Sequence, residues 1–65
     1  MTADELAGIG ERIFGPRWQR VMSAALGVNY RTLQRWATGH NAIPDSVASD
    51  VRRLLAIATA SKEKR

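Results

Sequence analysis

Apolar residues recur at intervals of three and four along most of this chain, which is the period of an amphipathic helix. Leu6, Ile9, Ile13 and Phe14 form the first such series. Thr2 followed by Glu5 predicts a capping box at its start, and Gly15-Pro16 ends it. A second helix is expected over Arg17–Leu26, burying Trp18 or Val21 together with Met22, Ala25 and Leu26. Gly27 is suited to the left-handed conformation that closes a helix. Asn29 is a natural N-cap for a third helix, Tyr30–Ala37, with Leu33 and Trp36 inward and Gly39 closing it. Pro44 fits the first turn of a fourth helix, or Asp45 or Ser46 caps it. Its apolar stripe is Val47, Val51, Leu54, Leu55 and Ala58, and Ser61–Arg65 reads as a charged tail. No stretch alternates with the period of a strand, and no repeat or low-complexity segment interrupts the pattern.

The expected fold is therefore all-α: a compact bundle of four or five short helices. With 65 residues it forms one domain over residues 1–60, followed by the tail at 61–65. A hydrophobic fraction of 45% is too high for a disordered segment. So small a core is marginal, and the usual supports are disulfides, a metal or a second subunit. There is no cysteine and one histidine, so the first is impossible and a metal site is not expected. The uncharged runs Val21–Tyr30 and Leu54–Ser61 are too short to span a bilayer. The opening Met-Thr-Ala-Asp-Glu is acidic where a signal peptide is basic, so a cytoplasmic protein is expected.

Charge changes the picture by its distribution more than by its total of +4. Residues 1–16 carry a net charge of −2 and residues 44–65 a net charge of +2. Residues 17–43 hold Arg17, Arg20, Arg31 and Arg35 with no acid, a net charge of +4. An acid-free basic segment points to an anionic partner, nucleic acid before a membrane surface. Catalysis is not expected. There is no thiol, the histidine lies in a loop, and no glycine-rich phosphate loop is present. No cofactor and no small-molecule ligand are implied.

The informative stretch is Gln19–Gly39. Two short helices share a tight turn at Gly27-Val28-Asn29, and Ser23 or Ala24 is small enough for their close crossing. Val28 plugs the turn, and Leu33 and Trp36 anchor the second helix of the pair. Tyr30, Arg31, Gln34 and Arg35 are left on its outer face, where positions 31, 34 and 35 form one patch. Arginine pairs bidentately with guanine and glutamine with adenine, so this face suits a DNA major groove.

This segment resembles the helix-turn-helix of lambda-repressor/Cro-type (Xre-like) regulators. The resemblance rests on Gln19, small Ser23, Gly27, Val28, Leu33 and Trp36 before Thr38-Gly39. The run Gly27-Val-Asn-Tyr-Arg-Thr-Leu-Gln-Arg-Trp-Ala-Thr-Gly39 is especially similar. The family usually has Ala at the position of Ser23, and many members have a fifth helix. Small phage-type repressors and anti-CRISPR-associated autorepressors are of similar size. The resemblance implies a sequence-specific regulator of transcription, a homodimeric repressor reading an inverted repeat in double-stranded DNA. It implies base contacts from Tyr30, Arg31, Gln34 and Arg35, and phosphate contacts from Gln19, Asn29, Thr32, Thr38, His40 and Asn41. A bacterial or phage-encoded protein acting on nucleoid DNA follows.

Each of these residues also has a plainer reading. Arg31, Gln34 and Arg35 can be a solvated helix face, His40 a surface loop histidine, and Gln19 a solvated first-turn residue. Leu54, Ile57 and Ala58 are the candidate dimer interface, because four short helices cannot easily cover Leu54, Leu55 and Ile57 together. The competing function is a protein-interaction module, such as the antitoxin half of a pair, whose C-terminal helix binds another protein.

Overall fold

The computed structural model describes the backbone of residues 1–63 and the side chains of residues 1–60. Four helices follow one another: α1 (Ala3–Phe14), α2 (Trp18–Leu26), α3 (Tyr30–Ala37) and α4 (Asp45–Glu63). The fold is all-α, as the apolar spacing predicts.

Local chemistry sets the boundaries. Thr2 Oγ1 accepts from the Glu5 N–H and Glu5 Oε1 accepts from the Thr2 N–H, both at 3.1 Å, which completes the expected capping box. Gly27 adopts φ 70° and ψ 30°, where a side chain would be strained, and its turn returns the Val28 N–H to the Ser23 carbonyl at 3.0 Å. Asn29 Oδ1 accepts from the Arg31 N–H at 2.8 Å and caps α3. The second helix starts one residue later than expected, with Arg17 as an N-cap that makes no side-chain bond. Pro44 stands just outside α4, its carbonyl accepting the Ala48 N–H at 2.9 Å. α4 runs on through Glu63, so the first three residues of the expected tail are helical, while residues 64–65 lie outside the described residues.

Leu6, Trp18, Met22, Leu33, Trp36 and Val51 form one buried cluster, with Ile9, Phe14, Leu26, Val28, Ile43 and Val47 packed against it. Trp18, not Val21, is the inward residue of α2. Val21 is 46% exposed and Ala25 is exposed as well, which corrects their expected burial. The reason lies in α1: Gly10 is buried directly against the Trp18 indole, and a Cβ there would overlap the ring. Glycine opens the space that turns Trp18 inward, and rotation of the helix carries Val21 and Ala25 outward. Ser23, not Ala24, fills the close crossing, and its hydroxyl donates to the Arg20 carbonyl at 2.8 Å. Ala48, outside the expected stripe of α4, is also buried. α1 packs against the other three helices, and α4 touches α1 and α2. Between α3 and α4 there is no close backbone approach among the described residues, so the outer side of α3 is left uncovered.

Candidate nucleic-acid interface

α3 separates its residues by its own period. Leu33 and Trp36 are buried, while Arg31, Gln34 and Arg35 are exposed on the opposite side. The turn after α3 folds back along it. The His40 and Asn41 N–H groups both donate to the Arg35 carbonyl, at 2.9 and 3.3 Å. The Thr38 hydroxyl donates to the Gln34 carbonyl at 2.9 Å and lies 2.9 Å from His40 Nδ1.

These turns bring Gln19, Arg31, Gln34, Arg35, Thr38, His40 and Asn41 around one open groove of about 570 Å³. Gln19 comes from α2, the next three from α3 and the last three from the turn that follows. Seven of the ten candidate DNA-contact residues therefore share one surface. Both charged side chains in that set, Arg31 and Arg35, are cations, and no acid occurs between residues 17 and 43.

The other three candidates sit differently. Tyr30 lines a smaller neighbouring groove of about 350 Å³ with Pro16, Arg17, Gln19 and Arg20. Its hydroxyl accepts from Gln34 Nε2 at 3.2 Å and donates to Gln19 Oε1 at 3.5 Å. The Asn29 side-chain oxygen is engaged as the cap of α3, which leaves its amide N–H₂ for any outside contact. Thr32 is half-buried. Arg17 and Arg20 are additions that the motif reading missed. Arg20 lies over the Tyr30 ring, 5.0 Å from its centroid. Their membership in the acid-free segment, next to Gln19, was the available signal.

Comparison with family models, curated proteins and solved structures returns no match to this chain. The chemistry of the groove thus rests on its own residues. It offers two guanidinium forks, three carboxamides, a hydroxyl and an imidazole, a set rich in hydrogen-bond donors.

Of the candidate dimer residues, Ile57 is 58% exposed, while Leu54 and Ala58 are half-buried. A third open groove, of about 350 Å³, lies between α1 and α4, bordered by Glu5, Gly8, Ile9, Arg12 and Leu55. Among the described residues no cluster of three or more acidic, histidine or cysteine side chains could hold a metal, and no helix is long and apolar enough to cross a membrane.

Proposed function

We propose that this chain is a sequence-specific DNA-binding regulator that inserts α3 into the major groove. The observation that carries the reading is the single open groove shared by Gln19, Arg31, Gln34, Arg35, Thr38, His40 and Asn41. An α-helix with its side chains is about 10–12 Å across, and the major groove is about 12 Å wide. Arg31 and Arg35 then read guanine edges and Gln34 reads adenine. Gln19, His40 and Asn41 flank α3 on both sides and meet the phosphate backbone, which fixes the orientation of the helix. The lambda-repressor/Cro-like pattern of Gln19–Gly39 supports the same docking.

One such motif contacts about one half-site, and two half-sites lie about 34 Å apart on one face of the duplex. A homodimer joined through the distal part of α4, at Leu54, Ile57 and Ala58, is the assembly we favour, and it makes the operator an inverted repeat. Repression by occupancy of that operator is the regulatory outcome we propose.

Selection of bound sequences from random duplex DNA tests the reading. An enriched inverted repeat is expected, with affinity falling steeply as salt rises. Arg31→Ala and Arg35→Ala should each weaken binding to that repeat about tenfold or more, since a bidentate pair is worth about 1–3 kcal/mol. Neither should change the melting temperature. Binding that is insensitive to both substitutions defeats the proposal.

A further inference from the structure

We propose that the Tyr30 hydroxyl positions the Gln34 carboxamide to read adenine, and that a phosphate held by Gln19 sets the direction in which this relay runs. The inference rests on the DNA-binding reading above and extends it to the discrimination of one base.

Three side chains from two helices are linked in series. Gln34 Nε2 donates to Tyr30 Oη at 3.2 Å, and Tyr30 Oη donates to Gln19 Oε1 at 3.5 Å. Arg20 stacked over the Tyr30 ring, 5.0 Å from its centroid, restrains the tyrosine between them. Because a tyrosine hydroxyl has one proton, it cannot donate to both glutamines at once. The two carboxamides are therefore coupled. When Tyr30 donates to Gln19 Oε1, it can only accept from Gln34, and Gln34 must turn its nitrogen inward. When Gln19 turns its nitrogen to Tyr30 instead, the hydroxyl is free to donate to Gln34 Oε1, and Gln34 turns over.

The two directions present different codes to a base pair. In the first, Gln34 keeps one N–H and its Oε1 for the groove, a donor beside an acceptor. That pair matches adenine, which shows the N7 acceptor and the N6 donor. In the second, Gln34 shows only N–H donors, which match the two acceptors of guanine. A phosphate next to Gln19 chooses between them. It accepts hydrogen bonds and repels a carbonyl oxygen, so Gln19 must give it Nε2 and keep Oε1 for Tyr30. The 3.5 Å link is the long one of the two. A phosphate on Gln19 Nε2 polarises that amide and strengthens its oxygen as an acceptor. A contact that carries no sequence information thereby fixes which base Gln34 accepts.

The test is sequence selection from random duplex DNA with four proteins: wild type, Gln34→Ala, Tyr30→Phe and Gln19→Glu. The wild type should enrich adenine at one position of each half-site, and Gln34→Ala should lose that preference. Tyr30→Phe removes one oxygen and frees the carboxamide. Its adenine-over-guanine preference at that position should fall roughly fivefold or more, by the worth of a bidentate pair. The guanines read by Arg31 and Arg35 should stay selected. Gln19→Glu places an acceptor-only group on Tyr30, so it should bind more weakly overall yet keep the adenine preference. Full adenine preference in Tyr30→Phe overturns the relay, as does its loss in Gln19→Glu or its retention in Gln34→Ala. A wild type that enriches no sequence removes the DNA reading itself and the relay with it, a result distinct from the other three.

Discussion

The eight residues of α3 divide into a buried face and a groove face, whereas the nineteen of α4 divide along its length. In α3, Leu33 and Trp36 enter the core and Arg31, Gln34 and Arg35 face out. In α4, Ala48 and Val51 are buried, and beyond Val51 no described side chain is fully buried. The molecule measures 39 × 22 × 20 Å, and a helix of nineteen residues is about 28 Å long, longer than either of the two shorter dimensions. A helix of two turns has little stability of its own, so packing and caps must hold α3. Both ends and one face are therefore fixed, and the free face is held in place, as the proposed reading of DNA requires. A long helix is better supported by its own hydrogen bonds, and it can carry apolar residues past the core.

The sharpest way to break this comparison is truncation. Trp36→Ala should cost about 3–5 kcal/mol, as other large-to-small core changes do. That is comparable to the whole stability of a domain this small, about 3–5 kcal/mol, so thermal unfolding followed by circular dichroism should show a largely unfolded chain. Ile57→Ala in the distal part of α4 should leave the melting curve of the monomer within about 0.5 kcal/mol of wild type. Equal losses at the two sites would mean that α4 is as dependent on its distal packing as α3 is on its core.

Two glycines in α1 sharpen the same point. Gly10 is buried against Trp18, whereas a Cβ at Gly8 meets nothing within 4 Å. Gly10→Ala should destabilise by about 1–3 kcal/mol, as overpacking does. Gly8→Ala should stabilise by up to about 1 kcal/mol, the helix propensity difference between the two residues. Chemical denaturation midpoints moving in opposite directions would confirm that the Trp18 contact, not helix propensity, governs position 10.

These cases also mark what the chain discloses before folding. Caps are local, so Thr2, Gly27 and Asn29 were legible from neighbours two to five residues away. So was the patch of Arg31, Gln34 and Arg35, which needs only the helical period. The rotation of α2 was not legible. Over nine residues the period accommodates Trp18 or Val21 equally well, and the choice falls to Gly10 on another helix. Ala48 was missed for the same reason: a small residue is buried wherever a neighbouring helix comes close, and size alone does not announce it. In the candidate site, the link from Tyr30 to Gln19 joins residues eleven apart across a turn, and only the packed geometry brings them within reach.

The exposed end of α4 yields a smaller effect on folding but a visible one on assembly. Light scattering at micromolar concentration should give a mass near twice the 7.2 kDa of one chain. Ile57→Asp places a charge in the proposed interface and should shift that mass toward the monomer, with the helices still formed. A wild type that stays monomeric on DNA carrying both half-sites would set the distal part of α4 apart from the function altogether.

The smallest expected effect concerns what holds α1 beside α4. The Glu5 carboxyl is held below its ordinary range, first by the hydrogen bond from the Thr2 N–H, with the N-terminus and Arg52 of α4 adding favourable charge. Because the folded pKa is depressed, the ionised form stabilises the native state at neutral pH. That contribution is present above the unfolded-state pKa and is lost as pH falls through the folded one. Melting temperatures of wild type and Glu5→Gln should therefore differ by a constant amount near neutrality and converge as acid is added. Arg52→Ala should leave most of this pH dependence in place, since the cap within α1 is the larger cause. If Arg52→Ala instead flattens the difference as fully as Glu5→Gln, the carboxylate is held by the seam with α4 and not by its own helix. The turn of α4 that carries Arg52 would then be fixed electrostatically to α1, and only the turns beyond it would differ in kind from α3.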